Sequence, residues 1–208
     1  QNDIYIALDE MKQGYENING LRFGSLKSLE KINLLTKKRT PVLTADFQAF
    51  HVTETGTLIL FKDRKGTFGT TVSQFKNNEE TILGILNLRV SEILSYKSNW
   101  LLVAKTENQA WSIYKCEPKT LKTTPLVDTP WAETNITLHN DWLLFAANYP
   151  KNSRELFAFD MNSETLHSLT PEHYAQKGVV LNNDLYFIGL NDKGNDIYQT
   201  LRNRCIPF

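Results

Sequence analysis

The sequence predicts an all-β fold, a β-propeller of about five four-stranded antiparallel blades. A polar turn followed by an apolar run recurs along the 208 residues, and successive copies are 42 or 43 residues apart. Aromatic residues and threonine favour strands, whereas asparagine, glycine and aspartate mark the turns between them. A period of about 42 residues with four short strands is typical of a propeller blade.

The repeat is clearest where a tryptophan or leucine follows the polar turn. The equivalent positions are Thr57, Trp100, Trp142 and Leu185, which gives steps of 43, 42 and 43 residues. Another copy starts at Asn2, and the step from Ile4 to Thr57 is 53 residues, so the first unit carries an insertion of about ten residues. Equivalent positions in a radial repeat meet equivalent surroundings, so we expect Trp100 and Trp142 both to be buried between blades.

Each unit is expected to contain up to four strands. The innermost strands precede the polar turns, at residues 47–53, 90–96, 133–138 and 176–181. The apolar run after each polar turn forms the next strand, and a further strand follows it, at residues 21–24, 111–114, 156–159 and 197–200. A third closes the unit, at residues 31–36, 122–127 and 165–170. The predicted blades are 1–40, 41–84, 85–129, 130–173 and 174–208 of a single domain.

Two alternative architectures stay open. A meandering β-sandwich also spaces short strands by turns. The first unit lacks its innermost strand, so it is a three-stranded blade, or residues 204–208 close the ring, or the chain is part of a larger propeller. The regular step favours the propeller over the sandwich.

Composition excludes several kinds of partner. The chain has 23 basic and 23 acidic residues, and a balanced charge argues against nucleic acid or an anionic membrane as the main partner. No apolar run approaches the ~20 residues of a membrane helix, so this segment is not expected to insert. The chain begins at Gln1, which we interpret as a processed or cut chain.

Motifs for catalysis, metals and cofactors are missing from the sequence. There is no Gly-x-Ser-x-Gly elbow and no glycine-rich phosphate loop. Cys116 and Cys205 have no CxxC partner and are expected to be unlinked, inert thiols. The four histidines lack zinc-motif spacing, although His51 lies in a predicted innermost strand. We therefore predict no catalytic residues, no metal and no cofactor.

The innermost strands supply the first candidate binding residues. Aligning them by the repeat gives one column of Gln48, Ser91, Glu133 and Gln176, and a second of Ala49, Glu92, Thr134 and Lys177. Glycosidase propellers place two or three carboxylates at the central mouth. The carboxylates of Glu92 and Glu133 are candidates for that place, although polar inner strands also occur simply because the channel holds water.

Aromatic residues in the less regular loops supply the second set. Tyr15 lies in a long connection of the first unit, and Trp131 and Tyr149 each neighbour a proline. Exposed aromatics on rigid loops are suited to anchoring a partner. The alternative is that these rings pack between blades. The candidate binding residues are thus Gln48, Glu92, Glu133, Gln176, Lys177, Tyr15, Trp131 and Tyr149.

The last two units carry a family resemblance. In residues 185–198 a strand runs into Asp-Lys-Gly-Asn and then Asp-Ile-Tyr, which resembles the repeat of TolB-type propellers. Residues 155–160 and 164–170 are similar to the second half of that repeat. The resemblance implies the architecture only, because such propellers include scaffolds, sensor domains and the non-catalytic halves of peptidases.

Three functional hypotheses follow. The first is a non-catalytic sensor or docking propeller, the exported part of a bacterial envelope protein, that binds a protein partner or a small polar ligand. It would be periplasmic or extracellular, with the cytoplasm as the alternative. The second is a small glycan-active hydrolase that uses Glu92 and Glu133. The third is a lectin, which is weakened because the loops differ between units.

Overall fold

The fold is all-β. The structure, a computed structural model, describes residues 3–10, 26–149, 153–171, 173–182 and 184–199. Within these ranges it contains eighteen strands in five antiparallel sheets, and no helix there is long and apolar enough to cross a membrane. The five sheets are the blades of a β-propeller, so the predicted fold class is confirmed.

The chain divides into two compact units, residues 1–48 and residues 49–208. The first contains blade 1, whose described strands are β1 (Asp3–Glu10), β2 (Leu26–Asn33) and β3 (Arg39–Ala45). They pair in the order β1-β2-β3, and β3 extends beyond the predicted blade end at residue 40. The single domain predicted over residues 1–208 stays a prediction.

The predicted third strand of blade 1, residues 31–36, is wrong. Residues 31–33 belong to β2, and the chain then turns before β3. The Asn33 side-chain oxygen accepts the backbone N–H groups of Leu35 (3.1 Å) and Thr36 (2.9 Å), which stabilises this turn. Lys37 adopts the left-handed conformation with φ 58°. The predicted strand at residues 21–24 lies outside the described residues.

The second unit contains blades 2 to 5. Blade 2 consists of β4 (Ala49–Val52), β5 (Leu58–Asp63), β6 (Thr70–Lys76) and β7 (Glu79–Leu86). Blade 3 consists of β8 (Arg89–Tyr96), β9 (Asn99–Lys105), β10 (Ser112–Cys116) and β11 (Thr123–Val127). Blade 4 consists of β12 (Glu133–His139), β13 (Trp142–Tyr149), β14 (Ser153–Asp160) and β15 (Thr165–Ser168). The described strands of blade 5 are β16 (Ala175–Leu181), β17 (Asp184–Asn191) and β18 (Gly194–Gln199).

The core lies between these blades rather than on one side of each sheet. Successive residues of a strand point to opposite faces, so β9 serves two interfaces. Trp100 and Leu102 pack with Phe61 of blade 2, whereas Leu101 packs with Phe145 of blade 4. A strand buried on both faces needs a continuous apolar run, and Trp-Leu-Leu-Val-Ala at 100–104 supplies one.

The register of blade 4 differs by one residue from the sequence alignment. The turn before β9 joins Tyr96 to Asn99, and the turn before β13 joins His139 to Trp142. Trp142 is therefore equivalent to Asn99. The true partners of Trp100 in the repeat are Leu143 and Leu185, and all three are buried.

The expectation that Trp142 is buried like Trp100 is consequently wrong. Trp100 is 6% exposed and packs edge-on against Phe61, with ring centres 5.6 Å apart. Trp142 is only half-buried, and its ring makes an edge contact with the ring of His167, with ring centres 5.4 Å apart. A one-residue slip moves a side chain to the opposite face of its strand, which explains the difference.

Candidate functional site

The innermost strands of the second unit form the candidate site. β4 contacts β8, β8 contacts β12, and β12 contacts β16, so the four strands lie side by side. Three of them contain a β-bulge, between Val90 and Glu92, between Thr134 and Thr137, and between Ala175 and Gly178. A bulge releases backbone groups from the ladder of its own blade, so they are free to bond elsewhere.

Both carboxylate oxygens of Glu92 accept hydrogen bonds from the next blade. Its Oε1 accepts the backbone N–H of Asn135 at 2.7 Å, and its Oε2 accepts that of Ile136 at 3.0 Å. The two N–H groups are available because the bulge of β12 leaves both residues without a ladder partner. Charge-assisted bonds of this kind are strong. The predicted channel carboxylate therefore holds two inner strands together.

The same pattern continues from blade 4 to blade 5. The Asn135 side chain donates from Nδ2 to the carbonyl oxygen of Gln176 at 2.9 Å, and the Thr137 hydroxyl donates to the carbonyl oxygen of Gly178 at 2.6 Å. Asn135 sits at φ 58°, a conformation that asparagine tolerates better than most residues. These contacts and those of Glu92 form one inner-strand network, which we call the bulge network.

Lys177 occupies the equivalent position in blade 5 but takes no part in the bulge network. Glu92, Asn135 and Lys177 occupy the same place in their strands, counted back from the turns at Tyr96, His139 and Leu181. Unlike the other two, Lys177 is exposed, and no contact of its ammonium group with a described residue is observed. A flexible, hydrated cation in this place is able to reach an anionic group brought by another molecule.

Glu133 occupies a position in the repeat that differs by one residue from the predicted one, where it was matched with Ser91 and Gln176. Its equivalents in the repeat are Val90 and Ala175, which pair with the same position of the neighbouring strand, and all three are fully buried. Its backbone N–H donates to the carbonyl of Trp111 at 2.9 Å. An acidic side chain thus occupies an apolar position between blades 3 and 4, on the same face of the sheet as Ala147.

The two oxygens of the Glu133 carboxyl group differ in their hydrogen bonds. Oε1 accepts the backbone N–H of Thr129 at 3.3 Å and also the Thr129 hydroxyl, whereas Oε2 is buried with no hydrogen-bond partner among the described residues. Burial raises the pKa of Glu133 to about 7, against the opposing effect of the Thr129 bonds, and nearby Asp128 adds to the rise. Burial therefore favours the neutral form of the Glu133 carboxyl group.

Thr129 links this carboxyl group to Trp131. Its hydroxyl donates to Glu133 and accepts the backbone N–H of Trp131 at 3.2 Å. The indole of Trp131 is half-buried against the apolar cluster between blades 3 and 4. Residues 128–132 connect β11 to β12 as a short loop, the 128–132 loop, which Thr129 ties to Glu133 and which Asp128 ties to β10 by accepting the Ser112 hydroxyl at 3.0 Å.

His51 joins blades 2 and 3. Its Nε2 lies 3.0 Å from the Ser95 hydroxyl oxygen. Its ring makes an edge contact with the ring of Trp100, with ring centres 6.3 Å apart. Burial lowers the pKa of His51, which favours the neutral imidazole. His51 thus has a packing role on a strand where the sequence raised the alternative of a channel residue.

The remaining predicted residues are dispersed. Gln48 belongs to the first unit, where its carbonyl accepts the Lys27 ammonium at 3.3 Å. The Gln176 side chain donates to the Tyr174 hydroxyl at 2.7 Å. For Tyr149 only the backbone is described, at the end of β13, and Tyr15 lies outside the described residues.

Sequence reasoning missed Thr129 and the bulge contacts. The only sequence signal for Thr129 is a threonine before Pro130-Trp131, a pattern in which the hydroxyl bonds the backbone two residues on. A separate shallow cleft of about 520 Å³ lies on blade 3 and contains none of the predicted site residues. Its lining is Ser98, Asn99, Lys115, Glu117, Pro118, Lys119, Lys122 and Thr124.

The described residues offer little reactive chemistry. Cys116 is a buried free thiol, and burial together with the charge of Glu117 raises its pKa to about 11, which disfavours the reactive thiolate. Cys205 lies outside the described residues. In the ranges the structure describes, no group of three or more His, Cys, Asp or Glu side chains is arranged to hold a metal ion.

Comparisons of sequence identify no relatives. No family model matches the chain, and no curated protein matches it. Comparison of structures does find similar folds. TolB from Acinetobacter baumannii superposes with a TM-score of 0.66 at 10% identity, over 84% of this chain and 46% of TolB.

Parts of two enzymes have a similar fold. The acylaminoacyl peptidase of Pyrococcus horikoshii has a TM-score of 0.63 at 12% identity, over 96% of this chain and 34% of the peptidase. A puromycin hydrolase has a TM-score of 0.60 at 8% identity, over 84% of this chain and 31% of the hydrolase. The chain thus spans less than half the length of each. At such identities the likeness establishes the fold alone, and the predicted resemblance to TolB-type propellers is confirmed as a resemblance of architecture.

Proposed function

We propose that the chain is a non-catalytic binding propeller that docks a protein partner or a small polar ligand on the side of its inner strands. The observation that carries this proposal is the state of its two candidate carboxylates. Both oxygens of Glu92 accept backbone N–H groups of blade 4, and Glu133 is 0% exposed. A glycosidase needs two carboxyl groups that flank its substrate, and these two are occupied or enclosed.

Lys177 and Trp131 are the proposed contacts for the partner. The exposed ammonium of Lys177 favours an anionic group, such as an aspartate or glutamate side chain or a carboxylate ligand. The half-buried indole of Trp131 offers an apolar anchor next to a polar loop. Gln48, Gln176, Tyr15 and Tyr149 stay candidate contacts. We further propose a periplasmic or extracellular location, in keeping with the TolB-type architecture.

Site-specific photo-crosslinking tests this function. A photoreactive phenylalanine analogue replaces Lys177 in one variant and Lys76, another exposed lysine at the end of β6, in a second. We expect a saturable adduct with one partner from position 177 and not from position 76. The purified partner should then bind Lys177→Ala at least tenfold more weakly than the wild type, with Lys76→Ala unchanged. Equal labelling at both positions, or equal affinity of the two alanine variants, would contradict the proposed surface.

A further inference from the structure

The 128–132 loop is held closed by a carboxyl group that has no access to water. Glu133 Oε1 receives both donors of Thr129, and the Thr129 hydroxyl in turn accepts the N–H of Trp131. Glu133 Oε2 is buried without a partner in the described part of the chain. This arrangement tolerates a neutral carboxyl group well, because an uncharged acid costs much less to bury than a carboxylate.

Few charged groups act on Glu133 from the surrounding elements. Asp128 on the 128–132 loop disfavours the ionisation of Glu133. On β10, burial and then the charges of Asp128 and Glu133 raise the pKa of Tyr114. Lys105, at the end of β9, lies over the ring of Trp111, 5.1 Å from its centre. On β14, Glu155 shares the sheet face of Glu133 across Ala147.

The two remaining charged neighbours do not form an ion pair with Glu133. On β8, the carboxylate of Glu92 is bonded to the bulge of β12, and on β16, Lys177 is exposed to solvent. No cation is observed within ion-pair distance of the Glu133 carboxylate among the described residues. An ionised Glu133 therefore has to gain water to be stabilised.

The 128–132 loop has fewer backbone ties than the strand that carries Glu133. Glu133 itself is fixed in β12, where it pairs with Ala147 of β13. The residues from Asp128 to Trp131 lie outside the strands, and Thr129 is attached to Glu133 only through its N–H and hydroxyl. Moving the loop costs fewer ladder hydrogen bonds than moving the strand.

We propose that Glu133 and Thr129 form a pH-sensitive latch: the protonated carboxyl group keeps the 128–132 loop closed, and ionisation opens it and exposes Trp131. The proposal rests on the proposed function in one respect, since it makes presentation of Trp131 to a partner depend on pH. The latch itself is a property of the chain alone. The burial that raises the pKa of Glu133 to about 7 places the opening near neutral pH.

Fluorine NMR of the 5-fluorotryptophan-labelled chain tests the latch without any partner. The chain has four tryptophans, and Trp131→Phe assigns the Trp131 signal. Between pH 5 and pH 8.5 we expect that signal to move towards the exposed position with a midpoint near 7. Glu133→Gln, which mimics the neutral acid, should hold it at the buried position throughout. Glu107→Gln, in an exposed loop, is the control and should keep the transition.

A second variant keeps the test decisive if Glu133→Gln folds poorly. Thr129→Val removes the hydroxyl that ties the closed loop to Glu133, so the closed state loses stability and the midpoint should move to lower pH. A Trp131 signal that does not move between pH 5 and pH 8.5 in the wild type would overturn the latch. So would a transition that persists in Glu133→Gln, or a midpoint that rises in Thr129→Val. None of these results bears on the crosslinking at position 177, so the two proposals fail independently.

Discussion

The carboxylate of Glu92 accepts the backbone N–H of Asn135 at 2.7 Å, although the two residues belong to the inner strands of different blades. The second oxygen of the same carboxylate accepts the N–H of Ile136 at 3.0 Å. One acidic side chain therefore satisfies two backbone donors that the bulge of β12 removes from their own sheet. This relationship explains why an inner strand of a propeller carries a glutamate without requiring catalysis.

Replacing Glu92 by glutamine should destabilise the fold. The glutamine oxygen retains one acceptor, but its NH₂ group faces a second backbone donor, so one N–H of the Asn135–Ile136 pair loses its partner. We expect the free energy of unfolding to fall by about 1–3 kcal/mol, measured by urea denaturation. Glu107→Gln, on an exposed loop, should change it by less than about 0.5 kcal/mol. Equal stability of the two variants would contradict the role given to Glu92.

Asn135 combines a side-chain bond with a left-handed backbone. Both Asn135→Gly and Asn135→Ala remove the bond to the carbonyl of Gln176, but only alanine is strained at φ 58°. Alanine should therefore be the less stable variant, by about 1 kcal/mol. Thermal unfolding of the two proteins side by side measures the difference. The opposite order would mean that the bulge relaxes when the side chain is lost.

Stability should depend on pH through Glu133. Its pKa is raised from 4.5 to about 7 on folding, so the folded protein binds this proton more tightly than the unfolded chain does. The resulting stabilisation is complete below pH 4.5 and is lost as pH rises through about 7, a change of up to about 3 kcal/mol.

Glu133→Gln should flatten that part of the pH profile. Urea unfolding of the wild type and the variant at half-unit steps from pH 4.5 to pH 8.5 separates the two curves. Between pH 5 and pH 8.5, the free energy of unfolding should fall less in the variant than in the wild type. Parallel curves would show that Glu133 has the same pKa in the folded and unfolded states.

The two repeat tryptophans should differ in their contribution to stability. Trp100→Ala opens a cavity between blades 2 and 3 and should cost about 3–5 kcal/mol. Trp142→Ala removes a half-buried ring and should cost clearly less. Chemical denaturation of both variants provides the comparison, and an equal loss would restore the equivalence suggested by the sequence.

The sequence predicted the blades well because each strand buries both faces and therefore reads as an apolar run between polar turns. It misplaced blade 4 by one residue for a specific reason. The left-handed turn residue is Asn140 in blade 4 but Lys97 in blade 3, and lysine is not a residue that marks such a position. The alignment therefore followed Ser98-Asn99, and it shifted Trp142 and Glu133 together.

The bulge network was beyond sequence reasoning. Which backbone N–H groups are released depends on where a bulge falls, and which carboxylate reaches them depends on the spacing of neighbouring blades. Glu92 looked like a channel ligand because its residue type and strand were correct. Only the positions of the Asn135 and Ile136 N–H groups show that its oxygens are already bonded.

Turnover assays of the wild type beside Glu92→Gln and Glu133→Gln distinguish a structural role of these two carboxyl groups, in a propeller that we propose to bind without catalysis, from a catalytic one. The substrates are a panel of aryl glycosides of both anomeric forms, and each protein is assayed at a temperature where it is folded. We expect no hydrolysis above the uncatalysed rate by any of the three proteins. Glycoside hydrolysis by the wild type that disappears in either variant would contradict it and would identify Glu92 and Glu133 as catalytic residues.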